Sequence, residues 1–243
     1  MALRTLVVAG ALAATGLTAT AAQSAVASAS DAELSAQFDA QMRNTPGPNI
    51  MVEISRLFPE EYDNVKQRMI AGHRRGDGFE EGSRAGAEFI TEFFARHMPA
   101  VPKAPTTELM ALVGTKAALA RTLKSEDVEA CGALVWSGTL GPGGRTNLSA
   151  RALVNLGAYQ RSLVEAMAAG EKTPTVHREF GMADTMGLIA TLIGAGADKS
   201  GLEVIDKGGE GATPQASCEA GVFLMDALAT LPPESQAAFM SAQ

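Results

Sequence analysis

From Ser30 onward, apolar side chains recur every three or four positions, and the recurrence breaks only where proline or glycine stands. That period matches the 3.6-residue turn of an α-helix and not the two-residue alternation of a strand. The expected fold class is therefore all-α: an irregular helical bundle of about seven to nine helices after an N-terminal signal peptide. Residues 30–243 are expected to form a single helical domain, crossed by a proline-rich connector at 98–105.

Local signs mark the helices. Ser30-Asp31-Ala32-Glu33 has the form of a capping box and opens a helix carrying Leu34, Phe38 and Met42. Pro46-Gly47-Pro48 stops it, and a second helix starts near Asn49. Pro59, Glu60 and Glu61 suit the first turn of a third, with Tyr62, Val65, Met69 and Ile70 as its apolar stripe. The clearest helix runs from about Glu80 to His97. It presents Phe89, Ile90, Phe93, Phe94 and Met98 on one side and an expected Glu92–Arg96 pair on the other. Such an aromatic stripe is read as core rather than as a cofactor box.

Prolines 99, 102 and 105 imply an extended stretch. Helices are then expected over Thr107–Lys124, from a Ser125 N-cap through Val128, Cys131, Leu134 and Val135, and over Leu148–Ala169 with Gly170 as its closing glycine. Thr173-Pro174 should open a helix whose stripe is Val176, Phe180, Ala183, Met186, Ile189 and Ile193. Residues 199–212 are glycine-rich and expected as loop, with Leu202–Ile205 a short strand or turn. Thr213-Pro214 starts a helix carrying Cys218, Val222, Met225 and Leu228, and Pro232-Pro233-Glu234 starts a last one containing Phe239.

The first thirty residues have a different grammar. Arg4 is the only charged side chain before Asp31. Leu6–Leu17 is an apolar run, and Ala19-Thr20-Ala21 and Ala25-Val26-Ala27 offer small-x-small exits. This is the pattern of a signal peptide, residues 1–21, with cleavage as late as 29 also fitting. The run is shorter than the ~20 residues a membrane helix needs. No cysteine follows it for lipid attachment, and the later apolar stretch Met186–Ala197 is broken by glycines 187, 194 and 196. Export, to a periplasm or to the exterior, is the expected localisation, with no membrane span after cleavage.

In an oxidising compartment Cys131 and Cys218 are expected to form one disulfide, since both fall on apolar helical stripes. The net charge of −7 argues against nucleic acid and anionic membranes as partners. No metal, haem or other cofactor site is expected: the two cysteines lack a Cys-x-x-Cys context, and His73, His97 and His177 lack helical ligand spacing.

Candidate chemistry is sparse. The Gly138–Thr146 stretch fails as a phosphate loop because Thr139 and Arg145 stand where glycine and lysine are required. Arg145 with nearby backbone N–H groups remains an anion-holding idea. Val135 spoils a nucleophile elbow at Ser137. Glu53, Glu165, Glu179 and Asp184 are conceivable members of an acid pair. His177 and Asp184 are placed to share a helix face. No catalytic residue is assigned. The expected function is a non-catalytic binding or structural protein of the cell envelope, with an envelope or extracellular molecule as partner; the alternative is a carboxylate-dependent hydrolase acting on an envelope polymer.

Overall fold

The computed structural model describes residues 30–242 other than 46, 78 and 142–147. The expected signal peptide and Arg145 lie outside the described residues. Within them the chain is all-α: eleven α-helices and one 3₁₀ turn, without a strand. That is two helices beyond the expected range, because short caps support short helices that the apolar period alone does not mark. The chain divides into two compact units, one ending at Arg96 and one starting at His97.

The first unit holds α1 (Asp31–Asn44), α2 (Ile50–Leu57), α3 (Pro59–Arg75) and nearly all of α4 (Phe79–His97). The expected capping box is present: Glu33 N–H donates to Ser30 Oγ at 3.2 Å and Ser30 N–H to Glu33 Oε2 at 2.7 Å. The α4 stripe is core, with Phe89, Ile90, Phe93 and Phe94 all buried. The Phe58 and Phe93 rings meet edge-on at 5.1 Å. The expected Glu92–Arg96 pair does not form; each residue instead reaches α3, Glu92 to Arg68 and Arg96 to Glu61. Cross-helix partners of opposite sign lay closer than the i,i+4 neighbour, a choice that local spacing cannot anticipate.

The second unit begins with the proline-rich stretch, which is not extended. Met98–Lys103 is a 3₁₀ turn. Proline's fixed φ suits that geometry, and Ala104 N–H closes it on Val101 O at 3.0 Å. It packs along α7 (Ala150–Lys172). Gly170 makes this possible. It is not the closing residue of α7 but lies inside it, where a Cβ would sit 2.0 Å from Ala100 O.

Helix α5 (Thr106–Glu126) packs on α7 and on α10 (Pro214–Thr230), and α6 (Val128–Ser137) packs on α5 and α10. The α6 N-cap is Asp127, which accepts from Ala130 N–H at 2.9 Å; Ser125 instead donates to Thr122 O at the end of α5. Residues 173–181 are not helical, contrary to the helix expected from Thr173. Thr175 N–H donates to Lys103 O at 2.8 Å, and His177 Nε2 lies 2.7 Å from Ala104 O, so groups a helix would use are committed to the 3₁₀ turn. Helix α8 (Met182–Gly194) follows. Residues 199–206 are helical as α9 (Lys199–Asp206), where a loop with a short strand or turn was expected. Asp198 is the missed N-cap, accepting from Gly201 N–H at 2.8 Å. The unit ends with α11 (Pro233–Ser241).

Gly170→Ala should lower the unfolding free energy by at least about 2 kcal/mol, because backbone must move to admit the methyl group. Gly194→Ala, where a Cβ meets nothing within 4 Å, is the matched control. Equal urea midpoints for the two variants would sink this account of the turn.

Candidate functional site

Three features of the second unit place polar or reactive groups with more precision than packing requires. The first is the Cys131–Cys218 disulfide, which joins α6 to α10 at a Cα–Cα distance of 5.2 Å. Both residues are fully buried. Glycine lies beside each: a Cβ at Gly132 would be 3.1 Å from Ser217 Oγ, and one at Gly221 would be 2.5 Å from Val135 Cγ1. Trp136 Nε1 donates to Ser217 O at 3.1 Å across the same contact. The bridge is structural, buried away from solvent chemistry.

The second feature is the C-terminal end of α6. Lys116 Nζ, from α5, donates to Val135 O at 2.8 Å, and the Tyr159 hydroxyl, from α7, donates to Gly138 O at 3.1 Å. Two carbonyls that a helix end leaves without intrahelical donors are thus taken by side chains from two neighbouring helices. Burial pushes the Lys116 ammonium down to about 8 and the Tyr159 hydroxyl up. An amine in this position is near neutrality at mildly alkaline pH, yet its donors are aimed at backbone oxygen, which makes it a brace for the helix end.

The third feature is α8 and its approach. Arg178 clasps Asp184 in a two-pronged ion pair, with Nη2 2.7 Å from Oδ1 and Nη1 on Oδ2. Ser235 Oγ donates to Asp184 Oδ1 at 2.6 Å, and Gly181 N–H donates to Oδ2 at 3.0 Å. The Arg178 guanidinium and the Ser235 hydroxyl hold the Asp184 carboxyl well below the usual carboxylate range. It stays ionised near neutrality and has no proton to give. Nearby, the Phe180 and Phe239 rings meet edge-on at 5.3 Å. These contacts fix the start of α8 on α11.

Beyond that start, α8 turns the wrong way for a core helix. Leu188 and Leu192 are buried, as the face laid on the protein. Three residues of the stripe expected to be core are on the other side: Met186 is 65% exposed, Ile189 39% and Ile193 56%, in line with Met182 at 83%. Val176, in the non-helical approach, is fully open at 97%. After Asp184 the helix carries no charged residue. Isolated exposed apolar residues are ordinary; the four on α8 stand in one uncharged row along three helical turns.

The sequence candidates are dispersed. Glu53 is in the first unit, paired with Arg56 at 3.0 Å. Glu165 is half-buried on α7 and Glu179 is exposed ahead of α8. The partners of Asp184 are Arg178, Ser235 and Gly181, with no second carboxyl among them. His177 and Asp184 do not share a helix face, since His177 lies in the non-helical stretch. His73 is exposed at the end of α3, and buried His97 has Nδ1 2.5 Å from Glu171 Oε1. Among the described residues no group of three or more His, Cys, Asp or Glu side chains is placed to hold a metal ion. Sequence reasoning missed Lys116, Tyr159, Arg178 and Ser235. Only Asp184, three residues after Gly181, gave a readable sign, that of a helix start.

No protein-family model, curated protein or solved structure matches this chain.

Two outcomes follow from the buried groups. Replacing both cysteines with alanine should cost on the order of 4 kcal/mol of stability by loop-closure entropy, read from urea unfolding; an unchanged midpoint would contradict the staple. Lys116 has its folded-state value, about 8, below its ordinary 10.5. Between those pH values the unfolded chain holds a proton the folded chain has shed, so stability rises with pH across the window. Wild type should gain on Lys116→Met by up to roughly 3 kcal/mol from pH 8 to pH 10.5. Parallel curves for the two proteins would remove the lowered Lys116 ammonium from the account.

Proposed function

We propose that this chain is an exported helical protein that binds or builds at the cell envelope or exterior, and that it works through the outer face of α8 rather than through catalysis. The observation that carries the reading is the uncharged row Met182, Met186, Ile189 and Ile193 on a helix anchored at its start by Arg178, Asp184 and Ser235. Methionine pairs flexibility with polarisability, which suits a contact surface. The anchor suits presentation: a binding face is most precise on a regular element held by its own polar contacts.

Two further observations support the placement. The signal-peptide pattern of the first 21 residues points to export. The Cys131–Cys218 bridge fits an oxidising compartment. Among the described residues no helix is long and apolar enough to cross a membrane, so contact with the envelope is read as contact at its surface. The hydrolase alternative draws less support. Its best candidate, Asp184, is ionised and engaged by three donors, which rules out the proton-donating role, and none of those partners is a second carboxyl to fill it.

Protein recovered from its native compartment should lack 21 to 29 N-terminal residues by intact mass, and iodoacetamide should enter Cys131 and Cys218 only after reduction. A full-length mass with freely labelled thiols would overturn the placement. Release of soluble fragments from an envelope polymer by the purified mature protein would overturn the non-catalytic reading.

A further inference from the structure

The outer row of α8 has a spacing with a symmetry of its own. Met182, Met186, Ile189 and Ile193 are separated by four, three and four residues. At 100° per residue the four lie within one narrow stripe, the a/d seam of a coiled-coil pair. A four-three-four row reads the same in both directions. Laid antiparallel on its own copy about a two-fold axis near Gly187, it sets Met182 against Ile193 and Met186 against Ile189 at every level. A surface that complements itself under a two-fold rotation is the requirement for an isologous dimer.

Charge and area point to the same occupant. The protein carries −7 overall, so two copies repel except where their acids are absent or neutralised. From Thr185 to Gly194, α8 has no charged residue, and its one acid, Asp184, is matched by Arg178. Antiparallel pairing also sets the positive start of each helix beside the negative end of the other. The four side chains expose roughly 500 Å² of apolar surface, so a face-to-face pair removes about 1,000 Å² from water, the threshold for a specific interface. An interface of that size is reversible.

We propose that the outer face of α8 docks on α8 of a second copy of this chain, antiparallel, forming a two-fold dimer. This rests on the reading of α8 as the working surface and names its partner. Sedimentation of the mature protein from about 1 to 500 µM should show a monomer–dimer equilibrium, with dissociation in the micromolar range. Met186→Glu, at a side chain two-thirds exposed, should leave helicity and the melting temperature of the dilute monomer unchanged and weaken association at least tenfold.

Orientation is tested by cross-linking. M182C and I193C are mixed under mild oxidation; the native cysteines are buried in their own bridge. Antiparallel pairing links M182C to I193C in the mixture and links neither variant to itself, since like positions stand about 16 Å apart along the axis. Self-linking of each variant alone would establish parallel pairing and overturn the proposal, as would a dimer indifferent to Met186→Glu. A wild type that stays monomeric throughout also overturns it. In that last case, retention of wild type and of Met186→Glu in the washed envelope fraction separates the two readings. Loss of retention in the variant leaves α8 as the working surface with a different partner, and equal retention removes the working surface as well.

Discussion

Helices α6 and α10 meet at a distance set by glycine. Without side chains at Gly132 and Gly221 the two backbones come close enough for Cys131 and Cys218 to bond, and Val135 fills the space that a Cβ on Gly221 would take. Each glycine inside a helix costs about 1 kcal/mol relative to alanine. The close contact and the cross-link offset that cost, and they fix the pair onto which α5 packs. Gly170 repeats the device where the 3₁₀ turn lies on α7. The second unit is thus held by backbone proximity as much as by large side chains.

Polar groups serve the same economy at helix ends. Lys116 and Tyr159 take carbonyls at the end of α6, Asp127 and Ser149 cap the starts of α6 and α7, and Asp184 ties the start of α8 to α11 through Ser235. They orient helices, and α8 is oriented with the row Met182, Met186, Ile189 and Ile193 outward.

Periodicity made the helices legible wherever one face was apolar and one polar. The α4 aromatics and the α10 row of Cys218, Val222, Met225 and Leu228 are core, as their spacing implies. It failed where both faces are apolar. In α8 the rows Met186–Ile189–Ile193 and Leu188–Leu192 are equally hydrophobic, and nothing in the spacing says which one the protein covers. The non-helical stretch 173–181 was missed for another reason: its partners, Lys103 and Ala104, are seventy residues away in sequence. Asp198 and Asp127 were readable as caps, but glycine-rich and serine-bearing neighbours masked them. Gly170, read as the closing glycine of its helix, is a point of contact inside it, as are Gly132 and Gly221 in theirs, a distinction that exists only once the neighbour is in place.

The bridge between Cys131 and Cys218 spans 87 positions and encloses α7, α8 and α9. Covalently that stretch is a ring, with the remaining chain as two tails. One peptide bond cut anywhere on the ring leaves every atom attached, and the mass rises only by one water. A protease that nicks it once yields a two-chain molecule that still carries α8, whereas a single cut outside the ring leaves two pieces with no covalent link. Connectivity alone thus keeps the segment that bears the outer row of α8 attached to the rest of the chain after a single cut within it.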